Sequence, residues 1–429
     1  MKISISGIRG VYGKDFFARD IIKFCDGFST LIKSGQCIIA RDTRPSGIII
    51  YNIVSATLLE KGIDVYNLGM TPTPVAFREA KKIGAGIIIT SSHNPLEWNG
   101  LKFILNGKGI TEKELLSVRN EKNLNKSKIG KETVVKSDYV SDAIKIIGKM
   151  NQPQDVTIDI GGGAAKNIAP KLLSEIGCNI TTINEELAGC SRGPDPTSDK
   201  LIELISKTKN IGFAFDLDSD RVILVMNNEK KSADITLGLG VVKAIKLGIR
   251  KFVLSLDSSL AIEKYIIKHG GKVWRSKVGE ANVIQMMIDN DAEAGGEGSS
   301  GGFILKEFNM CRDGLLTSGL IASMINEKSV QKDIEFFESF SQIRDKVSIE
   351  STLHDKVIES MIKKLEIKYK INQLDGIKVN INQNTWSLIR KSNTEDIVRI
   401  STESNDKQLL EKIQKEMVEN VKRCHEEIK

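Results

Sequence analysis

Three aspartates occur at alternate positions directly after an apolar run. Asp216, Asp218 and Asp220 follow Ile-Gly-Phe-Ala-Phe at 211–215, which has the composition of a buried strand. In extended chain, alternate side chains point to one side, so the three carboxylates converge on one point. Neighbouring carboxylates repel unless a cation lies between them, and hard divalent ions prefer oxygen ligands. The spacing therefore predicts a Mg²⁺ site, against the alternative of a solvated acidic turn.

Two other chemistries use a similar acidic loop. An EF-hand loop that began at Asp216 would need Gly at its sixth position and Glu at its twelfth. Arg221 and Asn227 stand there, so the loop is not an EF-hand. An aspartyl-phosphate phosphatase also places Asp-x-Asp after an apolar strand, with Asp216 as its nucleophile. From this loop alone, the phosphatase stays open.

A second chemical loop is Thr-Ser-Ser-His-Asn-Pro at 90–95, which follows an apolar run at 86–89. Such a sequence forms a sharp loop at the carboxyl end of a strand, where open α/β sheets bind their ligands. A nucleophile would sit there. The alternative is a plain polar turn, because Ser, Asn and Pro are ordinary turn residues.

Two later loops suit a sugar and a phosphate. Glu297 and Ser299 lie among glycines at 295–302, where backbone and short side chains can approach a polyhydroxylated ligand; a flexible linker is the alternative. Near the C-terminus, Arg390 is followed by Ser392 and Thr394. A guanidinium, two hydroxyls and backbone N–H groups in one turn bind a phosphate dianion well.

The elements that position these loops alternate along the chain. We predict strands at 37–40, 64–67, 87–89, 156–160, 179–183, 211–215, 222–226, 252–256 and 272–274, with helices of 10–15 residues between them. This alternation is typical of layered α/β domains. From about residue 345, a Lys-rich helix, short strands and a charged helix at 406–423 predict a smaller α+β unit. The glycines at 161–163 fit neither nucleotide-binding spacing, so we expect a plain strand-to-helix turn there.

Length and composition exclude several classes of protein. At 429 residues the chain is long for one core, so several domains are expected. A net charge of +7 from 62 basic and 55 acidic residues is weak support for nucleic-acid binding. No apolar stretch predicts a membrane span or a signal peptide. The six Cys have no paired spacing, which favours reduced thiols in a cytoplasmic protein.

Four loops, in this order, resemble those of the α-D-phosphohexomutase family, and the resemblance covers nearly the whole chain. They are Ser-His-Asn-Pro at 92–95, Asp-x-Asp-x-Asp-Arg at 216–221, Gly-Gly-Glu-x-Ser at 295–299 and Arg-x-Ser-Asn-Thr at 390–394. Shorter matches are Gly-Ile-Arg-Gly at 7–10, Arg-Asp-Thr-Arg at 41–44, Asn-Gly-x-Lys at 99–102, Lys-Val-Gly at 277–279 and Arg-Asp-Gly at 312–314. The rival phosphatase explains one of these loops, so the family is the better interpretation.

The resemblance implies an α/β fold of three related mixed-sheet α/β domains and a smaller C-terminal α+β domain around a central cleft. We place these domains at 1–135, 136–233, 234–342 and 343–429. The first boundary follows a polar, Lys- and Asn-rich connection at 119–132.

The resemblance also implies a role for each matching residue. Ser92 is the phosphorylated nucleophile, which completes a Mg²⁺ shell with Asp216, Asp218 and Asp220, and His93 lies beside it. Lys102 is the general base or acid toward the sugar hydroxyl, while Arg9 and Arg221 hold charge at the phosphoserine. The residues expected to bind substrate are Arg221, Lys277, Glu297, Ser299, Arg390, Ser392, Asn393 and Thr394.

The implied reaction moves a phosphoryl group between positions 1 and 6 of a hexose, through a 1,6-bisphosphate that turns around in the cleft. A hexose 1,6-bisphosphate is therefore the expected activator, and one Mg²⁺ is expected per active site in a monomer or homodimer. Glucosamine 6-phosphate is the first candidate substrate, with mannose and glucose phosphates as alternatives. A protein that binds sugar phosphates without catalysis is the alternative from another class, and intact Ser92, Lys102 and the three aspartates argue against it.

The chain departs from the family pattern in the glycine-rich loop at 295–302, which we call the sugar loop. Many members have a His shortly after the Ser, where Gly stands here, and this Gly-rich form resembles the archaeal members. The N-terminal motif is shortened to residues 5–10. Ser91 beside Ser92 leaves an ambiguity about the modified hydroxyl, which the register with His-Asn-Pro settles in favour of Ser92. The segment 191–196 resembles a Pro-rich family loop loosely and receives no role.

Overall fold

The computed structural model describes residues 1–120, 128–392 and 396–428, and four sheets follow one another along the chain. Half of the predicted connection at 119–132 falls on residues 121–127, outside the described part. Across the described residues, we find no helix with the length and apolar content that a membrane crossing needs.

The first unit is an eight-stranded sheet with helices on both faces. Ile87 and Ile89 pack in the core formed with the first two helices, whereas Ile88 packs against the third helix on the other face. This is the alternation that an extended strand imposes. The elements are β1 (Lys2–Ser4), β2 (Gly7–Val11), α1 (Ala18–Ser29), β3 (Gln36–Arg41), α2 (Gly47–Glu60), β4 (Asp64–Met70), α3 (Thr73–Ile83), β5 (Ala85–Ile89), β6 (Trp98–Leu105), β7 (Lys108–Gly109), α4 (Glu112–Arg119) and β8 (Glu132–Val134).

The second and third units share one continuous hydrophobic core, which runs from Tyr139 to Phe337 and also includes Val75 of the first unit. The elements of the second unit are α5 (Tyr139–Ile147), β9 (Gln154–Asp159), α6 (Ala169–Glu175), β10 (Cys178–Ile183), α7 (Ile202–Lys207), β11 (Ile211–Phe215), β12 (Val222–Met226) and β13 (Glu229–Lys230). Those of the third are α8 (Ala233–Lys246), β14 (Lys251–Ser255), α9 (Leu260–Lys268), β15 (Lys272–Ser276), α10 (Glu280–Asp289), β16 (Ala294–Glu297), β17 (Gly302–Leu305), α11 (Gly314–Ala322) and α12 (Lys328–Glu338).

One sheet order recurs in all three units. The neighbours are β4-β3-β5-β6 in the first, β10-β9-β11-β12 in the second and β15-β14-β16-β17 in the third. In each, the first three strands are parallel and the fourth is antiparallel to the third. The predicted class of three related mixed-sheet units is confirmed, and the sheets show a repeat that the sequence alone does not reveal.

The fourth unit has its own core and rests on the third unit. Its elements are β18 (Ser341–Ser348), α13 (His354–Glu366), β19 (Ile371–Asn372), β20 (Ile377–Asn382), β21 (Thr385–Lys391), β22 (Ile397–Ser404) and α14 (Lys407–Ile428). Trp386 packs on Leu256, and Glu403 accepts from both Trp386 Nε1 (2.6 Å) and the backbone N of Leu260 (2.8 Å). This contact joins the fourth unit to the third, and Glu403 also lines the cleft.

The predicted strands and helices are present with ends shifted by a few residues, as in β15, which ends at Ser276 rather than at 274. Elements that the sequence pattern did not predict include β6, α4, α11 and α12. The turn at 161–163 is confirmed, and a short 3₁₀ helix (Ala164–Asn167) follows it. A Cβ at Gly163 would lie 2.9 Å from the Leu217 backbone, so Gly163 lets the turn pack against the acidic loop.

Candidate active site

The repeated sheet order brings three of the predicted loops together. Residues 90–97 join β5 to β6, residues 216–221 join β11 to β12, and residues 298–301 join β16 to β17. Each is therefore the hairpin between the third and fourth strands of its unit. All four units line one cleft of about 2560 Å³. Loops that are far apart in sequence reach one place because they hold equivalent positions in the repeat.

Ser92 faces the acidic loop. Its backbone has φ of 51°, and its amide donates to Thr90 Oγ1 (2.9 Å), which fixes a tight turn. Its Oγ donates to Asp216 Oδ2 at 2.9 Å. The neighbouring Ser91 hydroxyl instead accepts from Asn94 Nδ2 (3.0 Å). Of the two hydroxyls, Ser92 is therefore the one aimed at the carboxylates.

A buried arginine shapes this loop. Arg44 is 1% exposed and pairs with Asp42 at 3.0 Å. Its two terminal nitrogens donate to the backbone carbonyls of Ser92 (2.5 Å), Asn94 (2.7 Å), Pro95 and Trp98 (2.7 Å). The planar fork of an arginine can satisfy several acceptors at once, so one side chain sets the path of the whole loop.

The acidic loop forms a site that fits a metal ion. Asp216, Asp218 and Asp220 are 0% exposed, and one oxygen from each lies within 4.8 Å of the others. Asp218 Oδ1 and Asp220 Oδ1 are buried and have no hydrogen-bond partner among the described residues. Burying acceptors without donors is costly, and three carboxylate oxygens are the ligand set of a hard divalent cation.

Protein groups orient the other oxygens of this triad. Lys102 Nζ lies 2.7 Å from Asp218 Oδ2 and 3.2 Å from Asp220 Oδ2, and Thr73 Oγ1 donates to Asp218 Oδ2 (2.7 Å). Burial disfavours the ammonium, but the carboxylates of Asp218 and Asp220 outweigh it and raise the pKa of Lys102. Burial, with the neighbouring Asp218 and Asp220, raises the pKa of Asp216 well above its usual range. Lys102 thus offsets part of the negative charge of Asp218 and Asp220, while burial and these two carboxylates favour the neutral form of Asp216.

Two further cations and a histidine lie around Ser92. The Arg221 amide donates to Asp216 Oδ1 (3.1 Å), and its guanidinium lies 3.5 Å from His93 Nε2 and 3.5 Å from Asp195 Oδ1. Burial and the Arg221 cation lower the pKa of His93 to about 3, so its imidazole is neutral at physiological pH. Arg9 also lines the cleft. Asp195 belongs to the segment 191–196, to which the sequence assigned no role, and its contact with Arg221 could not be read from spacing.

The sugar loop is built around Glu297, which is 4% exposed. Its Oε1 accepts from the Gly279 amide and its Oε2 from Arg312 Nη1, both at 2.7 Å. Each oxygen keeps a further lone pair for a ligand hydroxyl. Ser299 is half-buried and lines the cleft. Lys277 is exposed and lies beside the cleft lining rather than in it, so its binding role stays a prediction.

The fourth unit contributes a row of cations. Arg399 on β22 is paired in register with Lys346 on β18 and with Arg390 on β21, and all three line the cleft. Like charges directly opposite on neighbouring strands repel, and Asp375 Oδ2, 3.4 Å from Arg390 Nε, offsets part of this charge. The row is suited to an anion. Ser392 is buried beside it, whereas Asn393 and Thr394 lie outside the described residues. Sequence reasoning found Arg390 but missed Lys346 and Arg399, which only strand pairing brings together.

Comparisons with known sequences match the chain in four consecutive parts. The matching profiles are described as phosphoglucomutase/phosphomannomutase alpha/beta/alpha domain I (residues 1–128), domain II (137–230), domain III (234–340) and C-terminal domain (355–420).

Individual relatives match over nearly their whole lengths. A probable phosphoglucosamine mutase of Methanosphaera stadtmanae is 33% identical over 97% of this chain and 98% of its own. The phosphoglucosamine mutase of Methanococcus maripaludis strain S2 is 31% identical, over 94% and 95%. A crystal structure of a phosphoglucomutase/phosphomannomutase family protein from Burkholderia thailandensis has a TM-score of 0.84, with 22% identity over 99% and 98% of the two chains. That structure shows the same fold.

Replacing Arg44 by Lys tests how the loop at 90–97, which we call the nucleophile loop, is held. A single ammonium cannot reach the four carbonyls, so hydrogen exchange of amides at 91–98 should rise about 10- to 100-fold, the equivalent of one charge-assisted hydrogen bond. Exchange at 216–221 should change little. Arg41→Lys, on the same strand end, is the control. Unchanged protection at 91–98 in Arg44→Lys would show that Arg44 does not shape the loop.

Proposed function

Because the chain belongs to the phosphoglucomutase/phosphomannomutase family, the α-D-phosphohexomutases, we propose that it interconverts a hexose 6-phosphate and a hexose 1-phosphate through phosphorylated Ser92. The observation that carries this proposal is the contact of Ser92 Oγ with Asp216 at 2.9 Å, in a cleft that Lys346, Arg390 and Arg399 of the fourth unit also line. A phosphoryl group on Ser92 would sit beside the triad, while the row of Lys346, Arg399 and Arg390 holds a second phosphate. Two phosphate positions in one cleft are what a bisphosphate intermediate requires.

Each residue has a separate role, which follows from its position in the cleft. The phosphoryl group of Ser92 passes to the free hydroxyl of the bound sugar phosphate, and the other phosphoryl group of the resulting bisphosphate then returns to Ser92 Oγ. Lys102 exchanges the proton of the sugar hydroxyl, and Arg9 and Arg221 offset charge on the transferring group. Glu297 and Ser299 bind the sugar hydroxyls. Asp216, Asp218, Asp220 and phosphorylated Ser92 would hold one Mg²⁺, which supplies positive charge against the phosphoryl oxygens.

Glucosamine phosphate is the substrate that we propose first. The support is the name phosphoglucosamine mutase carried by the relatives in Methanosphaera and Methanococcus, which match along nearly the whole chain. Mannose and glucose phosphates are the second candidates, since the matching profiles describe mutases for those sugars. A hexose 1,6-bisphosphate is the proposed activator because it can phosphorylate Ser92. The oligomeric state, a monomer or a homodimer, remains a prediction.

Ser92→Ala should abolish both phosphorylation and turnover. With no other hydroxyl of the nucleophile loop directed at Asp216, kcat should fall by more than about 10³-fold, while the sugar phosphate still binds. Intact-mass measurement after incubation with glucose 1,6-bisphosphate and Mg²⁺ should show one added phosphate in the parent protein and none in the variant. Ser91→Ala is the matched control and should keep both. Phosphate on the Ser92→Ala protein would move the nucleophile to another residue.

Asp218→Asn should weaken the response to Mg²⁺. Losing one anionic ligand of three should raise the apparent activation constant for Mg²⁺ at least about 10-fold and lower the rate, because the remaining oxygens attract the ion less strongly. Calorimetric titration with Mg²⁺ and rate measurements across Mg²⁺ concentrations check this. Asp155→Asn, an exposed carboxylate on β9, should behave like the parent. An unchanged metal response in Asp218→Asn contradicts the three-carboxylate site.

A coupled assay with glucosamine, mannose and glucose 6-phosphates ranks the substrates. We expect the largest kcat/KM for glucosamine 6-phosphate, with a difference of about 10-fold or more, because one amino group in place of a hydroxyl changes at least one hydrogen bond. Equal values would refute the assignment to glucosamine. Binding of all three without turnover of any would instead favour a non-catalytic sugar-phosphate binding protein.

A further inference from the structure

The Arg-Asp-Gly motif at 312–314 places one guanidinium between the sugar loop and the acidic loop at 216–221 (the metal loop). Arg312 Nη1 donates to Glu297 Oε2 and Nη2 donates to Asp220 Oδ2, both at 2.7 Å. Its Nε forms an ion pair with Glu280 Oε2 at 2.9 Å. The side chain is 12% exposed and borders the cleft. One cation thus bridges a carboxylate of the second unit and two carboxylates of the third.

The sequence of the sugar loop leaves room for this arginine. A Cβ at Gly302 would lie 2.4 Å from Arg312 Cδ and 2.7 Å from its Cγ. Gly302 does not have a left-handed backbone conformation, so its φ would accept a side chain. The glycine is therefore required by the path of Arg312 across the loop, not by the turn.

We propose that Arg312 is a positioning residue that sets the sugar loop against the metal loop. By holding Glu297 Oε2, it fixes the direction in which this carboxylate meets sugar hydroxyls. By holding Asp220 Oδ2, it leaves Oδ1 available to a cation. Arginine suits this task because its three nitrogens present donors in a rigid plane, whereas lysine has one point charge. The inference rests on the proposed function, since Glu297 meets a sugar only if the cleft binds sugar phosphates.

The test compares Arg312→Lys, Arg312→Ala, Gly302→Ala and the double variant Gly302→Ala/Arg312→Ala. For each, calorimetry gives the Kd for glucosamine 6-phosphate without metal, and the coupled assay gives KM, kcat and the Mg²⁺ activation constant. Loss of a charge-assisted hydrogen bond predicts a Kd and KM about 10- to 100-fold higher in Arg312→Ala, with partial recovery in Arg312→Lys. Gly302→Ala keeps the charge but displaces it, so its Kd should also rise.

The double variant separates positioning from general damage. If the Gly302→Ala change acts by displacing Arg312, adding it to Arg312→Ala should cost little more, so the two effects are not additive. Arg250→Lys and Gly47→Ala, at positions away from the cleft, control for arginine and glycine changes, and thermal melting confirms folding. A parental Kd in Gly302→Ala or Arg312→Ala, or fully additive effects, would overturn the role of Arg312. A parent protein that neither binds nor turns over sugar phosphates would overturn the proposed function and this inference with it.

Discussion

The structure depends on balancing the charge of carboxylates that are buried together. Asp216, Asp218 and Asp220 meet at one point, and a buried anion without a partner is strongly destabilising. The cations that offset them come from different parts of the chain: Lys102 from the first unit and Arg312 from the third. The charge balance is therefore complete only when the three units are assembled around the cleft. Folding and site formation are coupled by the same ion pairs.

A repeated sheet order explains how distant residues reach this point. Each of the first three units presents the hairpin between its third and fourth strands to the cleft, so one backbone plan positions Ser92, the three aspartates and Ser299. The second and third units share a large hydrophobic core, which fixes the metal loop relative to the sugar loop, and each has a smaller cluster on its other face. The fourth unit has its own core and docks through Trp386 and Glu403, and its row of cations lines the cleft. The positions of the apolar residues therefore join the second and third units firmly, whereas the fourth unit docks on the third through a smaller contact.

Local pattern was enough to predict much of the fold and the acidic site. The strand 211–215 and the spacing of the aspartates are properties of one short stretch of chain, so they could be read without a structure. The sequence could not show which groups neutralise the triad, because Lys102 lies on β6, whose Asn-Gly start has no clear strand pattern. Asp195, Lys346 and Arg399 were missed because only pairing between distant segments gives them partners. Helix α11 was missed since it is buried on every side and has no amphipathic period.

The central claim is that the buried triad is a metal site that faces Ser92. Anomalous diffraction from crystals soaked in Mn²⁺, in place of Mg²⁺, tests it most directly. The account predicts one strong peak about 2 Å from one oxygen each of Asp216, Asp218 and Asp220, with the Ser92 side chain or its phosphate as a further ligand. A peak elsewhere in the cleft, or no peak with Lys102 still paired to Asp218 and Asp220, would contradict it.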